Sequence, residues 1–292
     1  MLKNIKESYQ HSYFLYLKLI IAGIIIGFIV GIIDTIFGRG LIWIGDIRKE
    51  YLYYFVPFLA LAGLLIVFIY QKFAGKTGKG MGLIFEVGHG TENKIPLRLI
   101  PIVSIATWIT HLFGGSAGRE GVAVQLGATI SHKFNKYFNF PNKSKIFLVI
   151  GMAAGFGGLF QTPIAALFFS LEVLVLGNLQ LYALLPAIVA SFVASWTSAF
   201  LGLEKFSHFV NSDLSVTPFT FVKFAILGII FGSVGNLFVY LQNFLKKYVG
   251  EKIKNPYYRI FIIGIFLSII FLMLYNGRYT GLGTNLIENS FS

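Results

Sequence analysis

Long runs of apolar residues, separated by short polar or glycine-rich segments, follow one another along almost the whole chain. The run at residues 51–70 contains no charged residue in 20 positions. At about 1.5 Å per residue, a helix of this length crosses a bilayer core of roughly 30 Å. Runs of similar length predict further membrane-spanning helices at residues 19–37, 95–113, 181–203, 219–245 and 257–275.

The first of these runs is interpreted as a membrane span rather than a signal peptide. Its only charged residue is Asp34, and no small-residue cleavage site follows it. The segment between residues 37 and 51 carries Arg39, Arg48 and Lys49 beside acidic residues. This charged segment is predicted to be a loop between the first two spans.

Three apolar segments depart from the pattern of simple spans. The stretches at residues 81–90 and 122–131 are too short to cross a membrane alone. The longer run at residues 146–177 is interrupted near its middle by Gln161-Thr162-Pro163. Because proline fixes φ and lacks an N–H donor, this interruption predicts a helix start or a kink.

Composition supports a membrane protein made of several helices. Of the 292 residues, 56% are hydrophobic and 12% are charged, against about 25% charged in soluble domains. The net charge of +12 does not indicate nucleic-acid binding, because the lysines lie in short breaks between apolar runs, where they face anionic lipid. The absence of cysteine excludes disulfides, thiolate metal sites and a cysteine nucleophile.

A weak internal similarity within the sequence predicts an inverted repeat. Two long runs precede residues 80–84 (GMGLI), and two later runs precede residues 281–287 (GLGTNLI), about 200 positions on. Weak repeats with short, glycine-interrupted helices in matching places are typical of transporters with a site at the bilayer midplane. We therefore expect an all-α polytopic protein with a first repeat at residues 1–205 and an incomplete second repeat at residues 206–292.

The segment at residues 114–121 (GGSAGREG) is the strongest candidate for chemistry. A helix that begins just after such irregular backbone directs free N–H groups and the positive end of its dipole at an anion. Glu120 in this segment places there a carboxylate that can compete with an anion or carry a proton. The alternative is a surface loop in which Arg119 and Glu120 are both solvated.

Two further segments carry weaker predictions. Gly80-Met81-Gly82 begins a short helix whose backbone could face the same anion, although a simple turn with methionine as apolar filler is equally compatible with the sequence. The glycine- and alanine-rich residues 151–158 predict close helix packing. Glu172 follows in apolar surroundings, where a proton relay, a hydrogen-bonded structural acid and an acid near a helix end are all open.

The sequence does not favour an enzyme, a metal site or an organic cofactor. The five histidines show no metal-ligand spacing, and neither a G-x-S-x-G segment nor a Walker A motif is present. The enzymatic alternative is an intramembrane hydrolase that uses Ser116, His111 and Glu120, and nothing in their spacing supports it.

Three ordered segments together resemble the CLC family of chloride channels and proton-coupled anion antiporters. GGSAGREGVAVQLG resembles the family's G-[KR]-E-G-P segment, and GMAAGFGGLFQTPIAALFFSLE resembles its Gly/Ala-rich segment followed by Asn/Thr-Pro and a helix. Gly80-Met81-Gly82 lies where the family's Gly-Ser-Gly-Ile-Pro segment belongs. The resemblance implies an inverted-repeat fold with broken and re-entrant helices, homodimers with one pore per protomer, and a multi-pass protein of the bacterial inner membrane.

Departures from the family pattern resemble its bacterial fluoride/proton antiporter branch. Met81 replaces the coordinating serine, Val122 replaces the proline, and Val173 falls where chloride antiporters often carry an internal glutamate. The resemblance then implies fluoride and protons as substrates, with a chloride channel or chloride/proton antiporter as the alternative. It assigns gating and proton carriage to Glu120 and anion binding or selectivity to six residues: Gly80, Met81, Gly82, Arg119, Gly121 and Val122. The segments around residues 163–177 and 181–203 would supply part of the dimer interface.

Overall fold

The computed structural model describes residues 2–174, 181–205, 207, 217–274 and 277–290, with side chains from residue 13 onward. Within these ranges the chain forms α-helices joined by short helical turns and loops. The helices are α1 (Leu2–Glu50), α2 (Leu52–Phe55), α3 (Leu59–Ile69), α4 (Met81–His89), α5 (Leu99–Leu112), α6 (Glu120–Phe134), α7 (Lys143–Phe160), α8 (Pro163–Val173), α9 (Leu184–Phe200), α10 (Pro218–Lys252), α11 (Pro256–Met273) and α12 (Thr284–Glu288).

The predicted loop between the first two spans is wrong, because α1 continues as one helix to Glu50. Leu41 and Ile44 lie in this part of α1, and both are buried. The guanidinium of Arg39 donates from Nη1 to the carbonyl of Leu201 at 3.1 Å, so it is hydrogen-bonded to the end of α9. Packing and side-chain bonding thus favour the helix where charge alone suggested a loop.

The second predicted span is interrupted rather than uniform. A 3₁₀ turn at Val56–Phe58 contains Pro57 and joins α2 to α3. Proline cannot donate the helical hydrogen bond, which explains why the helix breaks at this position. After α3, a π-helical turn at Tyr70–Ala74 and a 3₁₀ turn at Gly75–Lys79 lead into α4.

Glycines let four helices form a tight core. A Cβ atom on Gly127 of α6 would overlap the backbone of Gly151 on α7, and a Cβ on Gly155 would overlap Ala123. On α1, a Cβ on Gly27 would lie 2.5 Å from the carbonyl oxygen of Ala190 on α9. Small residues at membrane interfaces allow this close approach of helix backbones. The packing predicted for residues 151–158 is confirmed.

The last two long helices pack differently from this core. Against α3, α11 places Gly264 so close that its Cβ would meet Ala60 at 2.5 Å. Ser268 on α11 donates to the carbonyl of Val56 at 2.8 Å. The 35-residue helix α10 has no buried residue, so both its faces are available to lipid or to other protein.

Most predicted elements are confirmed, but the span predicted at residues 95–113 is not, because α5 has only 14 residues and is shorter than a membrane-crossing helix. The interruption at Gln161-Thr162-Pro163 separates α7 from α8, and Pro163 is the first residue of α8. Residues 175–177 and 275, at the ends of two predicted runs, lie outside the described ranges. Six helical segments of the described chain are long and apolar enough to cross a membrane, as expected of a multi-pass membrane protein.

Candidate functional site

Two helix starts meet at the predicted anion site. Glu120 is the first residue of α6, and Met81 is the first residue of α4. A Cβ atom on Gly121 would lie 3.8 Å from Cγ of Met81, which is van der Waals distance. Gly80 caps α4 with a positive φ of 56°, a conformation that favours glycine. The two segments predicted separately from the sequence are therefore neighbours in space.

Gln125 lies between these two helix starts, and sequence reasoning missed it. Its Nε2 donates to the carbonyl of Gly121 at 3.0 Å, and its Oε1 would lie 3.6 Å from a Cβ on Gly80. The residue is 7% exposed, so its amide belongs to the interior. A single amide within the apolar run at residues 122–131 was the available signal.

The carboxylate of Glu120 is exposed at the start of α6. A Cβ on Gly118 would lie 2.7 Å from Oε2, so the glycine leaves room for this side chain. Among the described residues, no cation lies within ion-pair distance of Glu120. The carboxylate thus stands next to free helix N–H groups, with no ion pair to hold its charge in place.

The loop that leads into Glu120 is held by distant parts of the chain. Arg48 on α1 donates from Nη1 to the carbonyl of His111 at 3.0 Å. The Nε2 atom of His111 lies 3.0 Å from the carbonyl oxygen of Ala117, which gives that nitrogen the donor role. The N–H of Gly281 donates to the carbonyl of Gly114 at 3.3 Å. Three separate segments therefore fix the approach to α6.

A cavity of about 650 Å³ opens beside this loop and includes Arg119 in its wall. Its basic lining residues outnumber its acidic ones, which favours anions near its surface. The basic residues are Arg48, Lys49, Arg119, Lys205 and Arg278, and the acidic residues are Asp46, Glu204 and Glu288. The guanidinium of Arg119 lies 5.1 Å from the centroid of the Phe160 ring at the end of α7.

Comparison with known proteins identifies the family. The model of the voltage-gated chloride channel family, also called CLC, matches residues 62–292. The chain belongs to this family. The "Chloride/fluoride channel protein" of Pseudomonas syringae pv. tomato is 31% identical over 240 residues, which cover 80% of this chain and 53% of that protein. The chain thus spans about half the length of this curated relative.

Solved structures of CLC proteins share the fold. A crystal structure of a CLC-type fluoride/proton antiporter superposes with a TM-score of 0.91 at 46% identity, over 96% of this chain and 71% of that one. The structure of a slow cyanobacterial Cl⁻/H⁺ antiporter gives a TM-score of 0.74 at 20% identity, over 94% and 68% of the two chains. The predicted CLC-like fold class is confirmed.

The residues predicted to bind the anion lie at the starts of α4 and α6 and differ from one another in burial. Arg119 caps α6, Gly121 and Val122 follow Glu120 in its first turn, and Gly82 is the second residue of α4. The side chain of Val122 is buried in the core, so only its backbone could face an anion. The binding roles of these residues stay predictions.

Glu172 is an exposed residue at the second-last position of α8, and Val173 beside it is half-buried. This position agrees with the interpretation of Glu172 as an acid near a helix end.

The residues of the hydrolase alternative are not arranged as a catalytic pair. His111 Nε2 is engaged with the carbonyl of Ala117, and the Ser116 hydroxyl donates instead to the carbonyl of Tyr279 at 3.4 Å. In the part of the CLC chain that the structure describes, no three His, Asp or Glu side chains are grouped as for a metal ion.

Proposed function

We propose that the protein moves fluoride across the membrane in exchange for protons, with Glu120 as the gate and proton carrier. The proposal rests on the contact between the first turns of α4 and α6. A Cβ atom on Gly121 would lie 3.8 Å from Cγ of Met81, and the carboxylate of Glu120 is exposed beside them. Free N–H groups at such helix starts bind anions without help from a charged side chain.

The same geometry provides a way to couple the two ions. When Glu120 is ionised, its carboxylate competes with a mobile anion for the N–H groups of the helix starts. When Glu120 takes up a proton it loses that charge, and an anion can replace it. One side chain thereby links the arrival of a proton to the passage of an anion. The basic cavity beside Arg119 raises the local anion concentration.

Fluoride is proposed as the anion because of the 46% identity with a CLC-type fluoride/proton antiporter. The name of the Pseudomonas relative includes both chloride and fluoride, which keeps a chloride channel or a chloride/proton antiporter as the alternative. Met81 supports fluoride in part, since a thioether cannot donate the hydrogen bond that a serine hydroxyl would offer to chloride.

Liposomes that contain the purified protein test this function. We expect fluoride leaving the vesicles to drive protons inward, with a much smaller effect for chloride, measured with ion-selective and pH electrodes. Anion movement without protons would indicate a channel, and equal coupling with chloride would indicate the alternative substrate. If neither anion moves, the proposal is wrong.

We also propose that the protein acts as a homodimer in the bilayer and is a transporter rather than an enzyme. The resemblance to CLC proteins supports the homodimer. The different hydrogen-bond partners of Ser116 and His111 support the absence of hydrolase chemistry. Neither the motifs nor the site geometry calls for a cofactor.

A further inference from the structure

The amide side chain of Gln125 is buried without its full set of hydrogen-bond partners. Gln125 lies on α6, one turn after Gly121, and is 7% exposed. A glutamine amide offers two N–H donors and one acceptor oxygen. Its Nε2 gives one donor to the carbonyl of Gly121 at 3.0 Å. Among the described residues, none accepts from the second N–H or donates to Oε1. Buried polar groups are normally paired, so this amide has a donor available for a further group.

The amide lies between the starts of α4 and α6. Its Nε2 is 3.9 Å from the Cβ position of Gly80 and 3.9 Å from that of Gly121. Gly80 is the N-cap of α4, and Gly121 is the second residue of α6. A methyl group at either position would be in van der Waals contact with Nε2 and would cover it. Glycine at both positions therefore leaves the amide nitrogen uncovered on the sides of both helix starts.

The neighbours of the amide determine its orientation. The carbonyl of Gly121 can only accept a hydrogen bond, so the atom bonded to it is the nitrogen. The oxygen Oε1 then lies toward α4, 3.6 Å from the Cβ position of Gly80, where the positive end of the helix dipole favours an oxygen. The second N–H of Nε2 is the donor that stays free.

A free N–H in this position suits an anion. The first N–H groups of α4 and α6 have no acceptor within their own helices, and the two starts are neighbours here. Met81 at the start of α4 adds no side-chain donor. An amide N–H supplies a hydrogen bond without adding a full positive charge, and in the interior such a bond is stronger than in water.

We propose that Gln125 is an anion-binding residue of this site, whose free amide N–H donates to an anion held between the starts of α4 and α6. This proposal rests on the proposed anion transport and adds to the backbone site the side-chain donor that Met81 does not provide. The bond to Gly121 holds the amide in place before the anion arrives, which lowers the entropy cost of binding.

Calorimetric titration of the purified protein with sodium fluoride measures this contribution. Gln125→Met keeps an unbranched side chain of similar length and removes the amide donors. Gln125→Leu removes them with a different shape. We expect each variant to bind fluoride at least about tenfold more weakly, since a hydrogen bond to a charged group contributes one decade or more in affinity. Wild-type affinity in either folded variant would overturn the proposal.

Thr129→Val is the matched control. Thr129 is buried one turn further along α6, and its Oγ1 donates to the carbonyl of Gln125 at 2.6 Å. This bond is of the same kind as the one from Gln125 to Gly121, because each joins a side chain to the carbonyl four residues before it. Thr129→Val should keep the wild-type affinity for fluoride. An equal loss of affinity in Thr129→Val and Gln125→Met would indicate an effect on the helix and overturn the proposal.

Fluoride efflux from liposomes separates this proposal from the proposed function. If the wild type moves fluoride and Gln125→Met moves it with the same apparent affinity, the role of Gln125 alone is wrong. If the wild type binds fluoride but moves none, the transport function is wrong, and the ratio of the two affinities still decides the role of Gln125. If the wild type neither binds nor moves fluoride, both proposals are wrong.

Discussion

At the scale of single residues, Met81 determines how many hydrogen-bond donors the start of α4 offers to an anion. Its thioether donates none, so only the backbone N–H groups are available. Met81→Ser adds one hydroxyl, and a hydrogen bond to a charged group contributes about 1.5–3 kcal/mol. We therefore expect chloride transport to rise relative to fluoride by roughly tenfold, since about 1.4 kcal/mol corresponds to one decade. Efflux of each anion from liposomes measures the ratio.

Met81→Ala is the matched control, because it removes the thioether without adding a hydroxyl. If Ala and Ser give the same selectivity, Met81 acts through its bulk against Gly121 rather than through a missing donor. If neither variant changes the ratio, Met81 is apolar filler and the preference for fluoride has another origin.

Glu120 carries the second prediction at this scale. Glu120→Gln and Glu120→Ala should abolish fluoride-driven proton movement, because neither side chain can bind and release a proton. A pH-sensitive dye in liposomes measures this coupling while an electrode follows fluoride. Proton movement at the wild-type rate in both variants would show that another group carries the proton.

The sequence located the helix starts at Gly80 and Glu120 because their signals are local: glycine, charge and the beginning of an apolar run. It did not reveal Gln125 between them, or the bond from Arg48 to His111. These contacts join residues that are distant along the chain, or depend on how two helices cross. For Gln125 the sequence offers only an isolated amide in an apolar run, and it carries no direct signal for the bond from Arg48 to His111.

At the scale of helices, glycines allow the backbones of neighbouring helices to pack in close contact. Gly127 of α6 faces the backbone of Gly151 on α7, and a methyl group added there has no space. Gly127→Ala should destabilise the protein by about 1–3 kcal/mol through overpacking. Thermal unfolding in detergent measures the loss.

Gly228 of α10 is the control, since a Cβ on it would meet nothing within 4 Å. Gly228→Ala removes a flexible residue from a helix interior and should leave stability unchanged or raise it by up to about 1 kcal/mol. A similar loss in both variants would contradict the role of close backbone contact.

Element boundaries followed the sequence pattern where glycine or proline interrupts it, as at Gln161-Thr162-Pro163. They departed from it at residues 38–50, where the charged residues suggested a loop. There Arg39 and Arg48 bond to backbone carbonyls of other segments, so their charges do not end α1. Such tertiary bonds decide whether a charged stretch stays helical, and no local pattern predicts them.

At the scale of the whole molecule, helices α8 and α9 present large exposed side chains on the face expected to pair protomers. Trp196 is 79% exposed and Phe200 is 90% exposed. Because the chain has no native cysteine, single cysteines report proximity without background. Trp196→Cys should form a crosslinked dimer in membranes treated with an oxidant, as measured by mobility on a denaturing gel.

Phe28→Cys on α1 is the matched comparison, since Phe28 is also an exposed aromatic side chain in a membrane-spanning helix. It should remain monomeric under the same treatment. Crosslinking of Phe28→Cys but not of Trp196→Cys would place the interface on α1 instead.

The glycine contacts between α6 and α7 also have a consequence for time scales. They hold the backbone of α6 against α7 from Ala123 onward, while the carboxylate of Glu120 stays exposed at the first turn. Rotamer changes of exposed side chains take picoseconds to nanoseconds, whereas collective shifts of helices take microseconds to milliseconds. A gate made of one rotating carboxylate would open and close many times before any helix moved. The rate of anion/proton exchange would then depend on how often a proton reaches Glu120.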